Sequence, residues 1–195
     1  MQFTKDRRNF WAELNQCRAG GKPKVWKNVF PEATNINFHT LLEANQYQAA
    51  ITNDDKILKG TAHLPGVEMD PRVKPYHIEF MENYERVDTE TLFNASFFFS
   101  FSDGHHSVHL HRDYESVLLI QGYGEVTFIT ANEDNSKKEV FTLTTGDAIF
   151  IPRLYGHKSV PMGPRVTLSL GANPSKAMTT NNFMNQPANT SQPYN

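Results

Sequence analysis

His109-Leu110-His111-Arg112-Asp113-Tyr114-Glu115 runs straight into Ser116-Val117-Leu118-Leu119-Ile120-Gln121-Gly122-Tyr123-Gly124, and this stretch decides how the rest of the chain is read. Val117 to Gln121 is a short apolar run closed by glycines, the mark of a buried strand ending in a turn. Just ahead of it, the potential metal ligands His109, His111, Asp113 and Glu115 all occupy odd positions. On an extended strand, the two-residue side-chain period turns all of them to one face. His157, a strand and a hairpin further on, supplies another imidazole. The same residues support two different metal sites: His109, His111 and Glu115 with His157, or His111 and Asp113 with His157. Periodicity alone does not choose between them.

Working outward, short runs rich in Phe, Val, Ile, Leu and Thr recur at 95–101, 117–121, 125–130, 139–143, 148–151, 157–160 and 165–170. They are separated by Gly122 and Gly124, the polar stretch 132–138, Thr145-Gly146-Asp147 and Met162-Gly163-Pro164. Many short strands with regular turn signals predict a mainly β sandwich or barrel, and one lined by histidines suggests a double-stranded β-helix. Before it, Phe10, Trp11, Leu14 and Cys17 predict an amphipathic helix over Arg7 to Arg18 that stops at Gly20-Gly21. A strand is expected over 24–30, ended by Pro31, then a second helix capped by Asn37 and carrying Phe38, Leu41, Leu42 and Tyr47. Residues 52–76, with Pro65, Pro71 and Pro75, read as a long connection. The expected organisation is one domain over 1–176, its barrel at about 94–174, followed by a flexible, uncharged, turn-rich tail over 177–195.

A chain of 195 residues with 38% hydrophobic and 12% aromatic content suits one soluble domain. The sequence has no apolar run of membrane-spanning length, and its N-terminus lacks the apolar stretch of a secretory signal, so a cytoplasmic protein is the default expectation. A net charge of -2 gives no global attraction to nucleic acid or membrane. Cys17, the single cysteine, can form neither an internal disulfide nor a thiolate metal site, and reads as a small core residue.

Of the eight histidines, His105, His106, His109, His111 and His157 fall in the extended half. His105 and His106 sit in a glycine-containing loop and read as hydrogen-bonded or exposed. His111 and His157 each begin a strand after a turn. Imidazole with carboxylate suits Fe(II), Mn(II), Co(II) or Zn(II), and two histidines plus one carboxylate with open positions is the arrangement of non-haem iron oxygenases. The aromatic run Phe97-Phe98-Phe99 and Tyr114 are expected to be wall and core.

Gly104, His109-x-His111-x3-Glu115-x6-Gly122 and Gly146-x5-Pro152-x4-His157 resemble the two motifs of the cupin superfamily, with Leu154 where Gly is usual and Pro161 where Asn is usual. This resemblance implies a jelly-roll barrel holding a metal ion. Its four-ligand version, on His109, His111, Glu115 and His157, implies an Fe, Mn, Ni or Zn oxidoreductase, isomerase or lyase acting without 2-oxoglutarate.

A narrower resemblance covers nearly the whole chain outside the tail. Ser100-Phe101-Ser102, His111-x-Asp113-x3-Val117-x3-Gln121-Gly122-x-Gly124, Gly146-Asp147-Ala148-Ile149-Phe150-Ile151-Pro152-x4-His157 and Ser169-x-Gly171-x2-Pro174 are similar to JmjC-type oxygenases. The likeness is closest to the bacterial ribosomal-protein hydroxylase branch, and Phe10-Trp11 with Lys22-Pro23-x-Val25-x-Lys27-Asn28-x-Phe30 looks like the helix and strand preceding the barrel in that group. The implied metal ligands are His111, Asp113 and His157, with Fe(II) as the metal and 2-oxoglutarate as cosubstrate. The implied activity is hydroxylation of a C–H bond on a protein, peptide or small molecule; a homodimer is compatible with it. Val126 stands where JmjC proteins carry the Lys or Arg that pairs with the distal carboxylate of 2-oxoglutarate. Arg165, with Thr167 on the same face, resembles the basic residue and hydroxyl that other 2-oxoglutarate oxygenases carry on the last barrel strand, and Gln121 is expected to line the same cavity. Read without that resemblance, Arg165 is a surface residue after the Gly163-Pro164 turn.

Overall fold

The computed structural model describes residues 7–42, 44, 62–85, 90–101 and 109–174. Tyr47, Ser102, Gly104, His105, His106 and the tail 177–195 lie outside the described residues.

Helix α1 (Arg8–Gly20) buries Phe10, Trp11 and Leu14 along one face. It ends at Gly21, whose φ of 61° is left-handed; the Gly21 and Lys22 N–H groups return to the carbonyls of Arg18 and Cys17. Strand β1 (Lys24–Trp26) is shorter than the sequence predicts, because Asn28 turns to φ 49° and donates its N–H to Asp147. A 3-10 helix η1 (Pro31–Asn35) leads to α2, over residues 38–42. Asn37 caps α2 as expected, its side-chain oxygen accepting from the N–H groups of His39 and Thr40.

The expected long connection over 52–76 is corrected in its described part. It contains strand β2 (Ala62–Pro65) and the start of α3 (Lys74–Asn83), with Pro75 in the first turn. Proline is tolerated there because its missing N–H has no partner inside the helix anyway. Seven further strands follow: β3 (Glu90–Ser100), β4 (Ser116–Tyr123), β5 (Val126–Ala131), β6 (Lys138–Leu143), β7 (Ala148–Ile151), β8 (Gly156–Pro161) and β9 (Arg165–Pro174).

The strands form a six-stranded sheet in the order β1-β7-β4-β9-β3-β2 and a three-stranded sheet in the order β6-β5-β8. Every pair is antiparallel. The large sheet is buried on both faces, which is why β4 reads as a continuous apolar run. Phe97, Phe99, Leu118, Ile120, Phe150, Val166, Leu168 and Leu170 pack in one core with Phe10, Trp11, Phe30, Tyr76 and Phe80 of the helical layer. On the opposite face Val117, Leu119, Ile149 and Ile151 pack with Val126, Phe128 and Leu143 of the small sheet. Strand β9 therefore alternates strictly: Val166, Leu168 and Leu170 face the helices, while Arg165, Thr167 and Ser169 face the space between the sheets. The fold is a jelly-roll β-sandwich. Among the described residues no helix is long and apolar enough to cross a membrane.

Candidate metal centre

The segment ahead of β4 is not a strand, yet its odd positions His111, Asp113 and Glu115 line one pocket, as the expected shared face requires, while His109 lies outside it. Within it only His111 pairs, in an isolated bridge: its N–H reaches the His157 carbonyl at 3.0 Å, and the His157 N–H returns to the His111 carbonyl at 2.9 Å. Elsewhere the segment is tied by single contacts, the Asp113 carbonyl accepting from the Leu154 N–H at 2.7 Å. Leu154, at the position where the cupin motif has Gly, keeps a left-handed φ of 61°. A branched side chain there is strained. His109 and Tyr114 are exposed, Tyr114 at 63% rather than in a wall.

His111, Asp113 and His157 come together, with one potential ligand atom from each lying within 4.8 Å of the others. Asp113 Oδ2 is 3.6 Å from His111 Nε2 and 3.3 Å from His157 Nε2. Each ring turns its other nitrogen to a main-chain carbonyl: His111 Nδ1 to His109 at 2.9 Å, and His157 Nδ1 to Tyr155 at 3.1 Å. A carbonyl only accepts, so Nδ1 carries the hydrogen and Nε2 of each neutral ring keeps a lone pair facing Asp113. Burial alone pushes the Asp113 carboxyl up, but His111 and His157 outweigh it and hold it well below the ordinary aspartate range. When protonated, the His111 ring can donate a hydrogen bond to the Asp113 carboxylate, which raises its pKa.

His109 and Glu115 are not part of this group of ligand atoms. Glu115 lines the adjoining pocket, where Oε2 accepts from Asn94 Nδ2 at 3.1 Å and from Asn173 Nδ2 at 2.9 Å. Burial pushes its carboxyl up. Asn94 and Asn173 were not singled out from sequence. The one signal for them is Gly171 inside β9: a Cβ there would meet Asn94 Oδ1 at 2.5 Å and Glu115 Oε2 at 2.6 Å, the kind of close approach that an interior strand glycine marks.

The pocket encloses about 530 Å³ of empty space, its solvent-facing mouth included, and runs between the sheets. His111, Asp113 and His157 line it together with Phe98, Phe128, Ser159, Arg165, Thr167 and Ser169. Arg165 is 1% exposed, which overturns the surface reading of this residue. Its Nη1 donates to Thr167 Oγ1 at 2.9 Å and its Nη2 to Ser159 Oγ at 3.1 Å, while Nε is buried without a hydrogen-bond partner. Among the described residues no carboxylate faces it, and burial lowers its pKa to about 10. Gln121 does not line the pocket; it is fully buried behind Thr167, whose hydroxyl donates to Gln121 Oε1 at 2.7 Å. Val126 is fully buried in the core between the sheets. Ser159, the hydroxyl that sequence reasoning missed, lies two positions after His157 on β8 and so shares its face.

No family model matches the sequence, and no curated protein matches it. Among solved structures the chain is similar to ycfD of E. coli, with a TM-score of 0.59 and 16% identity over 88% of this chain and 54% of that one. It thus spans about half the length of that protein. Oxalate decarboxylase of Lactobacillus farciminis, in a formate complex, matches over 62% of this chain and 31% of its own at 18% identity and a TM-score of 0.43. A mutant of the Bacillus subtilis oxalate decarboxylase matches over 62% of this chain and 28% of its own at 13% identity and a TM-score of 0.44. The likeness to ycfD is one of fold, and together with the sheet topology it gives a jelly roll with His111, Asp113 and His157 gathered where β4 and β8 begin.

Proposed function

We propose that the protein is an Fe(II)- and 2-oxoglutarate-dependent oxygenase that hydroxylates a C–H bond of a protein, peptide or small-molecule substrate. The observation that carries this reading is Arg165, a buried guanidinium with no carboxylate partner among the described residues, lining the same pocket as His111, Asp113 and His157. A buried, uncompensated cation is costly unless an anion meets it.

The residues present fit both groups. Two neutral imidazole Nε2 atoms and one carboxylate form the donor set that suits Fe(II) and leaves positions open for ligands. The unpartnered Nε of Arg165, with the hydroxyls that already orient its fork, suits a carboxylate. When bound, Fe(II) with 2-oxoglutarate and dioxygen supplies the oxidising power that turns C–H into C–OH, the cosubstrate leaving as succinate and carbon dioxide.

The chain's own contribution is positional. His109 and Tyr155 fix the ring tautomers through their carbonyls, so that His111 and His157 present lone pairs rather than hydrogens. Gln121 aligns Thr167, and Thr167 and Ser159 hold the Arg165 fork in one plane. Phe98, Val117, Leu119 and Phe128 make the remaining walls apolar, which limits water near the reacting bond. Glu115, sequestered by two amides, leaves the three-residue donor set with enough open positions for a chelating cosubstrate.

Anaerobic addition of Fe(II) and 2-oxoglutarate to the purified protein is the test. A weak visible charge-transfer band is expected, and iron-loaded, folded protein that shows none overturns the proposal.

A further inference from the structure

Arg112 lies between two of the proposed ligands, and its side chain points away from the pocket. Its Nη2 reaches the tip of the β5–β6 hairpin, donating to the carbonyls of Asn132 at 2.9 Å and Glu133 at 2.6 Å and to Asn135 Oδ1 at 3.1 Å. That tip is organised by its own contacts. Asn132 Oδ1 accepts from the Lys137 N–H at 2.9 Å, Asn132 Nδ2 donates to Ser136 Oγ at 3.0 Å, and Asp134 Oδ1 accepts from the Ser136 N–H at 2.9 Å. Asn135 holds a left-handed φ of 59° that aims its amide at the guanidinium. The polar hairpin is thus a preformed acceptor for one side chain.

The route to it crosses the third proposed ligand's strand. Gly156 immediately precedes His157, and a Cβ there would lie 2.5 Å from Arg112 Nη1 and 3.0 Å from the Ala131 carbonyl. Only a residue without a side chain leaves that passage open. Among the described residues, main-chain contacts to the segment carrying His111 and Asp113 are few: the bridge to His157 and the Leu154 N–H. A loop so lightly tied needs another anchor to hold two ligand side chains within the fraction of an ångström that a metal site requires.

We propose that Arg112, threaded over Gly156 onto the β5–β6 hairpin tip, is a positioning residue that latches His111 and Asp113 into metal-binding geometry. The latch rests on the metal-centre reading above. It makes the tip of the β5–β6 hairpin part of the metal site, although no residue of that tip lines the pocket.

Co(II) serves as the probe, its visible d–d absorption reporting ligand geometry directly. In Arg112→Ala, Co(II) affinity should fall by about 10- to 100-fold with a changed band pattern, the range typical of residues that orient metal ligands. The melting temperature of the metal-free protein should move little. Arg112→Lys, which keeps the charge but not the planar fork, should fall between the two and carries the test if the alanine variant does not fold. Asn135→Gly, which tolerates the same φ and removes one acceptor, should weaken Co(II) binding less than Arg112→Ala does. Unchanged affinity and spectrum in both Arg112 variants overturn the latch alone. If the unaltered protein binds no Co(II), the metal-centre reading falls and the latch with it.

Discussion

Two arginines are buried among the described residues, and they are buried differently. Arg7, 4% exposed, lies under the helical layer with carboxylates on two sides. It pairs with Glu32, donates from Nη1 to both oxygens of Glu79 at 3.1 and 2.9 Å and from Nε to the Val29 carbonyl, and lies 4.4 Å from the Phe30 ring centroid. Trp11 Nε1 donates to the same Glu79. Arg165, 1% exposed, has only the hydroxyls of Thr167 and Ser159 among the described residues. Scaffold residues close their charges internally. A cation left open inside an otherwise economical core marks a place where another molecule is expected to complete it.

Mutation should separate the two with opposite signs. Arg7→Met leaves the buried sides of Glu32 and Glu79 unpaired and should destabilise the fold by about 3–5 kcal/mol in urea unfolding. Arg165→Met removes an uncompensated charge from the interior, so folding stability should stay level or rise by about 1–2 kcal/mol. The same variant should lose about 100-fold or more in 2-oxoglutarate affinity by calorimetry, with metal binding retained. Were Arg165→Met to unfold as Arg7→Met does, Arg165 would be a scaffold residue and the contrast would be void.

The scaffold side of the comparison can be sharpened by pH. Asp147 is 4% exposed and accepts from the N–H groups of Thr144 and Asn28, from Thr144 Oγ1 and from Lys27 Nζ. Burial opposes ionisation, but these donors prevail and hold its carboxyl below the ordinary value of 3.8. A depressed carboxyl stabilises the fold above its unfolded-state pKa, and that contribution is lost as pH falls through the lower, folded value. Acid unfolding should therefore weaken the unaltered protein most below about pH 4. Asp147→Asn should be less stable at neutral pH and show a flatter acid limb; an unchanged limb would remove Asp147 from the scaffold's charge balance.

The smallest expected effect lies beside the metal ligands. Leu154 is about half exposed, so Leu154→Gly gives up little packing while relieving a left-handed branched residue. A gain of about 0.5–1 kcal/mol in thermal or urea unfolding is expected. A loss would mean that the leucine side chain, not the backbone turn, secures the Asp113 carbonyl.

What could be read from the sequence follows where periodicity applies. The strands from Val117 onward were legible because both faces of the large sheet are buried, giving dense apolar runs between glycine turns. The first half of β3 was not, since Asn94 interrupts the apolar pattern and the register shifts between Glu90 and Leu92. Helix α3 was hidden by Pro71 and Pro75, which look like loop punctuation although Pro75 occupies the one turn of a helix that accepts it. In the site, His111, Asp113 and His157 were visible as candidates, and the shared face extends to Glu115, which lines the same pocket but is held by Asn94 and Asn173, whereas His109 falls outside it. Whether Arg165 lay inside or out was open in the sequence, because a single basic residue after a turn has no period to place it.

The alternation along β9 has a consequence for how the chain finds its register. A slip of one residue against β3 or β4 would drive Arg165, Thr167 and Ser169 into the aromatic layer beneath the helices and leave Val166, Leu168 and Leu170 lining a polar cavity. Because β9 is the central strand joining β4 to β3, such an error would corrupt both pairings at once. The residues proposed to receive a ligand in the finished protein therefore also act, during folding, as a proofreading mark against misaligned strands.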